Sequence, residues 1–369
     1  MLTRTTDPAD RAGAVLEIDL GAIVANWRLL AERAAPAACA VVVKANAYGL
    51  GAAPVALALQ AAGCRSFFVA TLDEGIAVRA ALGDVAEIAV FNGPLPGTEG
   101  EYRAHGLTPV LNDLGQVAAW RRVNAAAMLH IDTGMARLGL SPRELALLIA
   151  DPMLWQGIPL TGIISHLACA DTPDHALNTM QLARFVAARG HFPGLRASLS
   201  ASSGIFLGRE FHHDLVRPGA ALYGVNPCPD SANPMRQVIT LKGKILQVRE
   251  IDSGESVGYG AAHVMSGTGR LATVAVGYAD GWLRALSHRG SAVIAGQRAP
   301  LVGRVSMDLV TFDVSAIDPA QIKPGDFAEL LGGDYGIDAA AADAGTIGYE
   351  ILTSLGARYH RVYHPATRG

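Results

Sequence analysis

Several side chains in this sequence are of types, and in places, that organic catalysis uses. Lys44 follows Val41, Val42 and Val43 and precedes a turn that ends at Gly49, so a long amine closes an apolar run. Such a lysine either snorkels to solvent or, partly desolvated, has its pKa lowered until it can attack an aldehyde. Taken alone, the first reading is the commoner. Tyr259 stands between Gly258 and Gly260. It suits a plain surface turn, or a phenol acting as acid and base if cations favour its ionised form. Arg217 carries a permanent cation, paired either with Asp214 or with a ligand. Ser202 in SASSG reads as a helix N-cap or as an anion ligand, since both use the same N–H geometry. His166 ends an apolar run, where a satisfied core histidine competes with a functional one.

The elements that must carry these residues are legible as alternation. Short β-branched runs lie at 40–43, 66–70, 87–91, 108–111, 127–131, 162–165, 197–201 and 214–219, with Ala-rich helical returns such as 113–122, 142–150 and 175–189. Eight parallel strands suit a (β/α)8 TIM-type barrel, and a doubly wound sheet gives a similar pattern. The polar residues decide: Lys44, Arg137, His166, Ser202 and Arg217 all lie at or just after strand ends, where a barrel gathers its chemistry. After the turn-rich PCPDSANP at 227–234 come short runs separated by Gly and Asp, a mainly antiparallel β domain with little helix. The expected division is a tail over 1–12, a barrel over 13–233 and a β domain over 234–369, with the early strand 15–19 a candidate to join the latter.

Seven ordered segments resemble the alanine racemase family. AVVVKANAYG at 40–49 is similar to its attachment motif for pyridoxal phosphate, which implies that Lys44 holds the cofactor and that Tyr48 lies against it. HIDTGMARLG at 130–139 implies Arg137 at the substrate carboxylate, and LVRPGAALYG at 215–224 implies Arg217 on the pyridine nitrogen. In that stretch Gly219 and Ala220 would donate N–H groups to the phosphate, joined by Ser202 and by Tyr349 of TIGYEILT. His166 would hydrogen-bond Arg217 and stay neutral. SVGYG at 256–260 supplies Tyr259 as the second base; GYADGW at 277–282 and GRVSMD at 303–308 place Tyr278 and Asp308 at the entrance and Met307 at the substrate. The resemblance further implies a homodimer with shared active sites, in which Tyr259 and Met307 complete the partner's site, and D-alanine made for peptidoglycan. A cation at Arg217 should keep a proton off the pyridine nitrogen and so favour racemisation over transamination.

This sequence departs from the family pattern at three positions. Leu50 replaces a frequent histidine, Ala201 a common asparagine, and His130 a lysine that is often carbamylated, leaving His130 or a chloride ion to orient Arg137. Broad-specificity or serine racemases of the same fold, and a non-catalytic pyridoxal-phosphate carrier, are the rival readings. Arg217 speaks against decarboxylases of this fold, and Tyr259 against the carrier.

Composition narrows the classes. The 369 residues are 50% hydrophobic and 17% charged, with a formal net charge of -3, so there is no basic field to draw nucleic acid or an anionic membrane. The four cysteines form no C-x-x-C pair, so neither a metal site nor a disulfide framework is expected. The polar start MLTRTTDPADR lacks an apolar signal region, and the most apolar stretch, 37–63, is broken by Lys44, Gly49, Gly51 and Pro54. A cytoplasmic protein without membrane contact is the expectation.

Overall fold

A computed structural model describes residues 8–366; the first seven residues of the expected tail, 1–7, lie outside the described residues. The chain forms two compact units, Ile23–Arg236 and a second in which the residues up to Ala22 join those from Gln237 onward.

In the first unit, Val41–Val42, Ser66–Val69, Glu87–Val90, Thr108–Leu111, Ala127–His130, Leu160–Ile164 and Arg196–Ser198 are successive parallel neighbours. The eighth strand, Leu215–Val216, pairs in parallel with Ala38–Cys39 just upstream of the first. Main-chain bonds close the ring on both sides. Ala40 and Val42 donate to the carbonyl oxygens of Val216 and Pro218 (both 2.9 Å), while Asp214 and Arg217 donate to Ala197 (3.0 Å) and Ser200 (2.9 Å). This is a (β/α)8 barrel. Val41, Phe67, Phe68, Ile88, Val110, Leu129 and Ile163 are fully buried along its strands, and each such side chain removed from water contributes about 1.5–3 kcal/mol. The strands are shorter than the apolar runs suggest. The run 214–219 is a strand only at Leu215–Val216, because Pro218 has no N–H and Gly219 starts a turn.

The helical returns begin at caps. Thr71 and Ser141 form capping boxes with Glu74 and Glu144, and the Asp113 carboxylate accepts from the Gln116 N–H (2.7 Å). Leu114–Trp120, Pro142–Ala150 and Ala176–Gly190 are the helices read from the sequence, within a few residues.

In the second unit the long strand Ile239–Ile251 pairs antiparallel with Ala14–Asp19, Gly269–Val274 and Phe327–Leu331. Ala14–Asp19 also runs parallel to His360–His364, among the described residues the one parallel pair of this mainly antiparallel sheet. Strand-to-strand packing buries Leu16, Ile18, Leu241, Ile245, Phe312 and Leu330. The expectation of little helix fails at one place: Ile337–Ala344 and Gly348–Ser354 are helices, the first an Ala-rich segment ended by left-handed Gly345. Among the described residues no helix is long and apolar enough to cross a membrane.

Candidate active site

The barrel unit brings Lys44, Arg137 and Arg217 within electrostatic reach of His166, and Arg137 within reach of Lys44. Burial pushes the Lys44 amine below the ordinary lysine range; the Arg137 cation lowers it further, and Glu74 draws it back. Lys44 is half-buried, and that desolvation favours its neutral form. Arg137 is exposed and follows Ala136, whose positive φ of 55° is held by Asp132 accepting from Gly134, Met135 and Ala136.

Arg217 is buried at 2% exposure. Its guanidinium donates to the Ser198 hydroxyl and to the Ser165 carbonyl oxygen (2.6 Å), and the Ser198 hydroxyl in turn donates to the Leu215 carbonyl (2.5 Å). Burial lowers Arg217 to about 9, which leaves it charged at neutral pH. Asp214 is not its partner; that carboxylate pairs with Arg189 at 2.8 Å. Among the described residues no hydrogen bond joins the His166 side chain to Arg217, whose Nη1 and Nη2 donate to Ser198 and Ser165. His166 instead feels Arg217 as charge, and burial first, then Arg217, Arg137, Lys44 and His130, hold it at about 3.

His130 is likewise held at about 4, by burial and then by Arg217, with Asp132 opposing. Its Nδ1 lies 2.7 Å from Asn112 Oδ1, while the Asn112 amide donates to the carbonyls of Phe91 and Val110. The amide group is fully used as a donor, so His130 carries its proton on Nδ1 and leaves Nε2 as an acceptor. Both histidines fold neutral below the ordinary 6.5. The unfolded chain therefore binds more protons than the folded one as pH falls from about 6.5, and stability that is full above that pH drains away toward the folded values. Urea midpoints are expected to fall between pH 7 and 5, with a shallower fall in His166→Asn; equal slopes would place the protonation elsewhere.

Around Ser202 the chain forms a small donor cradle. Its hydroxyl oxygen accepts from the N–H groups of Gly219 (3.1 Å) and Ala221 (3.2 Å), which gathers the expected Gly219–Ala220 segment around this serine. Ser202 makes no side-chain cap bond to the short helix after it. A Cβ on Gly219 would come within 2.4 Å of the Tyr48 hydroxyl, so only glycine lets Tyr48 close on this segment. The Tyr48 ring in turn packs on Tyr223 at 4.8 Å.

The β unit carries the remaining residues. Tyr259 opens a short turn between Gly258 and Gly260, both at positive φ, and is 71% exposed. Tyr278 and Met307 are brought side by side: Tyr278 N–H donates to the Ser306 carbonyl (3.0 Å) and Ala279 N–H to the Met307 carbonyl (2.9 Å). A Cβ on Gly277 would meet the Met307 carbonyl at 2.3 Å, so this approach also demands glycine. Arg358 bridges Asp308 (2.7 Å) and Asp280 (3.0 Å), fixing the two loops together. Tyr349 sits in the first turn of Gly348–Ser354 and is partly exposed.

Sequence reading missed Ser165, Ser198, Asn112, Gln181 and Glu74. Gln181, fully buried, donates to Thr133 Oγ1 (3.1 Å) and the His166 carbonyl (2.9 Å) and accepts from Ala168 N–H (2.8 Å), joining the loops of Arg137 and His166. Only Glu74 left a signal, the T-x-x-E of its capping box, and that signal says nothing of a long-range contact.

Known proteins agree with this architecture over its whole length. Residues 18–227 match the model of the alanine racemase N-terminal domain, and residues 238–363 that of the alanine racemase C-terminal domain. A curated alanine racemase of Rhodospirillum rubrum is 53% identical over 98% of each chain, and one of Mesorhizobium japonicum, named as catabolic, is 49% identical over 95% of this chain and 93% of its own. The crystal structure of alanine racemase from Bartonella henselae with covalently bound pyridoxal phosphate superposes with a TM-score of 0.92 at 41% identity, over 96% of this chain and 100% of that one. Matched in both domains and along nearly its full length, the chain belongs to the alanine racemase family.

Proposed function

We propose that this protein interconverts L- and D-alanine with pyridoxal phosphate, using Lys44 and Tyr259 as bases on opposite faces of the α-carbon. The observation that carries the reading is the convergence of a depressed lysine, a neutral histidine and a buried arginine at the strand ends of one barrel. The residues present fit a phosphate: Gly219 is bare where a Cβ would crowd Tyr48, and the Ser202 hydroxyl, whose oxygen gathers the Gly219 and Ala221 N–H groups, can turn its own O–H to a dianion as a neutral donor. When bound, pyridoxal phosphate supplies an electron sink that acidifies the α-C–H of the amino acid joined to it.

The chain's own residues do the rest. Lys44 anchors the cofactor and, as a free amine, takes or returns the α-proton on one face; its lowered pKa keeps a neutral fraction available. The Tyr259 oxygen does the same on the other. Arg137 holds the substrate carboxylate, Met307 bounds the substrate, and Tyr278 and Asp308 line the entrance. Tyr48, His166, Ser202, Gly219, Ala220 and Tyr349 hold the cofactor. Arg217 opposes protonation of the ring nitrogen. The exposure of Tyr259 and Met307 supports a homodimer with shared sites, in which each serves the partner's barrel. The cellular setting we propose is cytoplasmic, with D-alanine used for peptidoglycan. The relative named as catabolic favours, as second reading, use of the same reversible step to consume D-alanine; growth of a deletion strain only on added D-alanine would settle for the first.

Purified, cofactor-loaded protein given L-alanine, L-serine and L-lysine is expected to form D-alanine foremost, read by chiral chromatography. Equal rates on all three would move the reading to a broad-specificity racemase, and cofactor binding without any D-isomer to a carrier. Arg217→Glu is expected to form more pyruvate per racemisation turnover, and to melt earlier, because its carboxylate would face the Ser165 carbonyl, acceptor against acceptor. Unchanged pyruvate sinks the electronic role of Arg217.

A further inference from the structure

Lys44 heads a run of four consecutive left-handed residues, Ala45, Asn46, Ala47 and Tyr48, at φ 52°, 54°, 53° and 54°. None is glycine, and L-residues avoid this conformation because Cβ crowds the carbonyl oxygen. The turn is held from within by Ala47 N–H on the Val43 carbonyl (2.9 Å), Gly49 on Ala45 (2.8 Å) and Gly51 on Asn46 (2.8 Å), and by the Asn46 side chain accepting from Ala52 N–H (2.8 Å). The N–H directly after Lys44 is held from outside. Ala45 donates to Glu74 Oε1 at 2.6 Å, while Glu74 Oε2 accepts from Ala70 (2.8 Å) and Thr71 (3.3 Å) in the loop after the second barrel strand. One carboxylate thus joins the first two loops of the barrel rim at the residue next to the amine.

We propose that Glu74 is a positioning residue for Lys44: its carboxylate closes the left-handed turn, locks it to the neighbouring loop, and sets a negative charge beside the amine. The charge has work to oppose, since Arg137 from the loop after the fifth strand presses on Lys44 as a cation, and His166 after the sixth stays neutral. A free left-handed turn would relax toward ordinary backbone and swing the amine away. The inference rests on the reading of Lys44 as the reacting amine.

Glu74→Gln keeps the size of the side chain but loses the charge; Glu74→Asp keeps the charge but not the reach. In cofactor-free protein, the pH dependence of Lys44 reductive methylation, read by mass spectrometry, is expected to shift to lower pH in Glu74→Gln and to stay closer to wild type in Glu74→Asp. Hydrogen exchange over residues 45–49 is expected to speed up in both. In loaded enzyme, kcat should fall roughly 10- to 100-fold in Glu74→Gln with KM for alanine little changed, as for a displaced catalytic group. An unmoved Lys44 profile in Glu74→Gln, or unchanged exchange over 45–49, overturns the proposal. A wild-type protein that fails to racemise alanine while its Lys44 profile still answers to Glu74 would instead refute the proposed activity and leave this role intact.

Discussion

Lys44→Ala is expected to lower alanine racemisation by about 10⁴-fold or more, because it removes a nucleophile and a general base in one substitution. The structure makes this lysine hard to replace. It is the residue whose amine is both desolvated and pressed by Arg137, and whose backbone leads into a turn held by Glu74. Lys44→Arg should do little better, since a guanidinium stays protonated where a neutral amine is required. The checks are D-alanine formation by chiral chromatography and α-proton exchange in heavy water, which should both fail on the face that Lys44 serves. Added methylamine is expected to restore a small part of the rate. A Lys44→Ala protein retaining a tenth of wild-type activity would remove Lys44 from the reaction.

Tyr259→Phe should cost roughly 10²- to 10⁴-fold, the range for loss of one general acid–base group. Its signature is asymmetry. With Lys44 intact, one alanine enantiomer should still trade its α-proton for deuterium with retention of configuration, while conversion to the other collapses. Equal loss of exchange in both enantiomers would mark Tyr259 as structural, and undiminished racemisation would exclude it as a base. Because Tyr259 is 71% exposed in its own unit, the same variant tests the shared site. Mixing inactive Lys44→Ala and Tyr259→Phe proteins should regain activity, up to roughly a quarter of wild type for random pairing in a two-fold dimer. No regain would mean that each chain supplies both bases to itself.

Much of this site could be read in the sequence because its residues fall where strands stop. Val41–Val42 and Leu160–Ile164 end shortly before Lys44 and His166, and apolar runs of strand length are visible without a structure. Resemblance to the family's motifs, and not spacing, pointed to Tyr259, Met307 and Tyr349 in a second set of elements. The run 214–219 was legible as a strand end although its hydrogen-bonded part is only Leu215–Val216, since the proline that shortens it stands in plain view.

Resemblance of its motifs names the candidate reactive side chains; what the sequence by itself determined about this protein is the kind and order of its elements. Local chemistry decides these: side-chain period, turn residues and caps act over a few positions. Tertiary structure alone decided the state in which those side chains work. Only folding sets Arg217 between Ser198 and Ser165, turns Asn112 so that His130 keeps its proton on Nδ1, and pairs Asp214 with Arg189 instead. Lys44 shows the division most plainly. Its place after three valines is local, but its pKa is lowered by burial first and then by Arg137, and its left-handed turn is tied to Glu74 through the Ala45 N–H, contacts with residues far along the chain that only the closed barrel brings near.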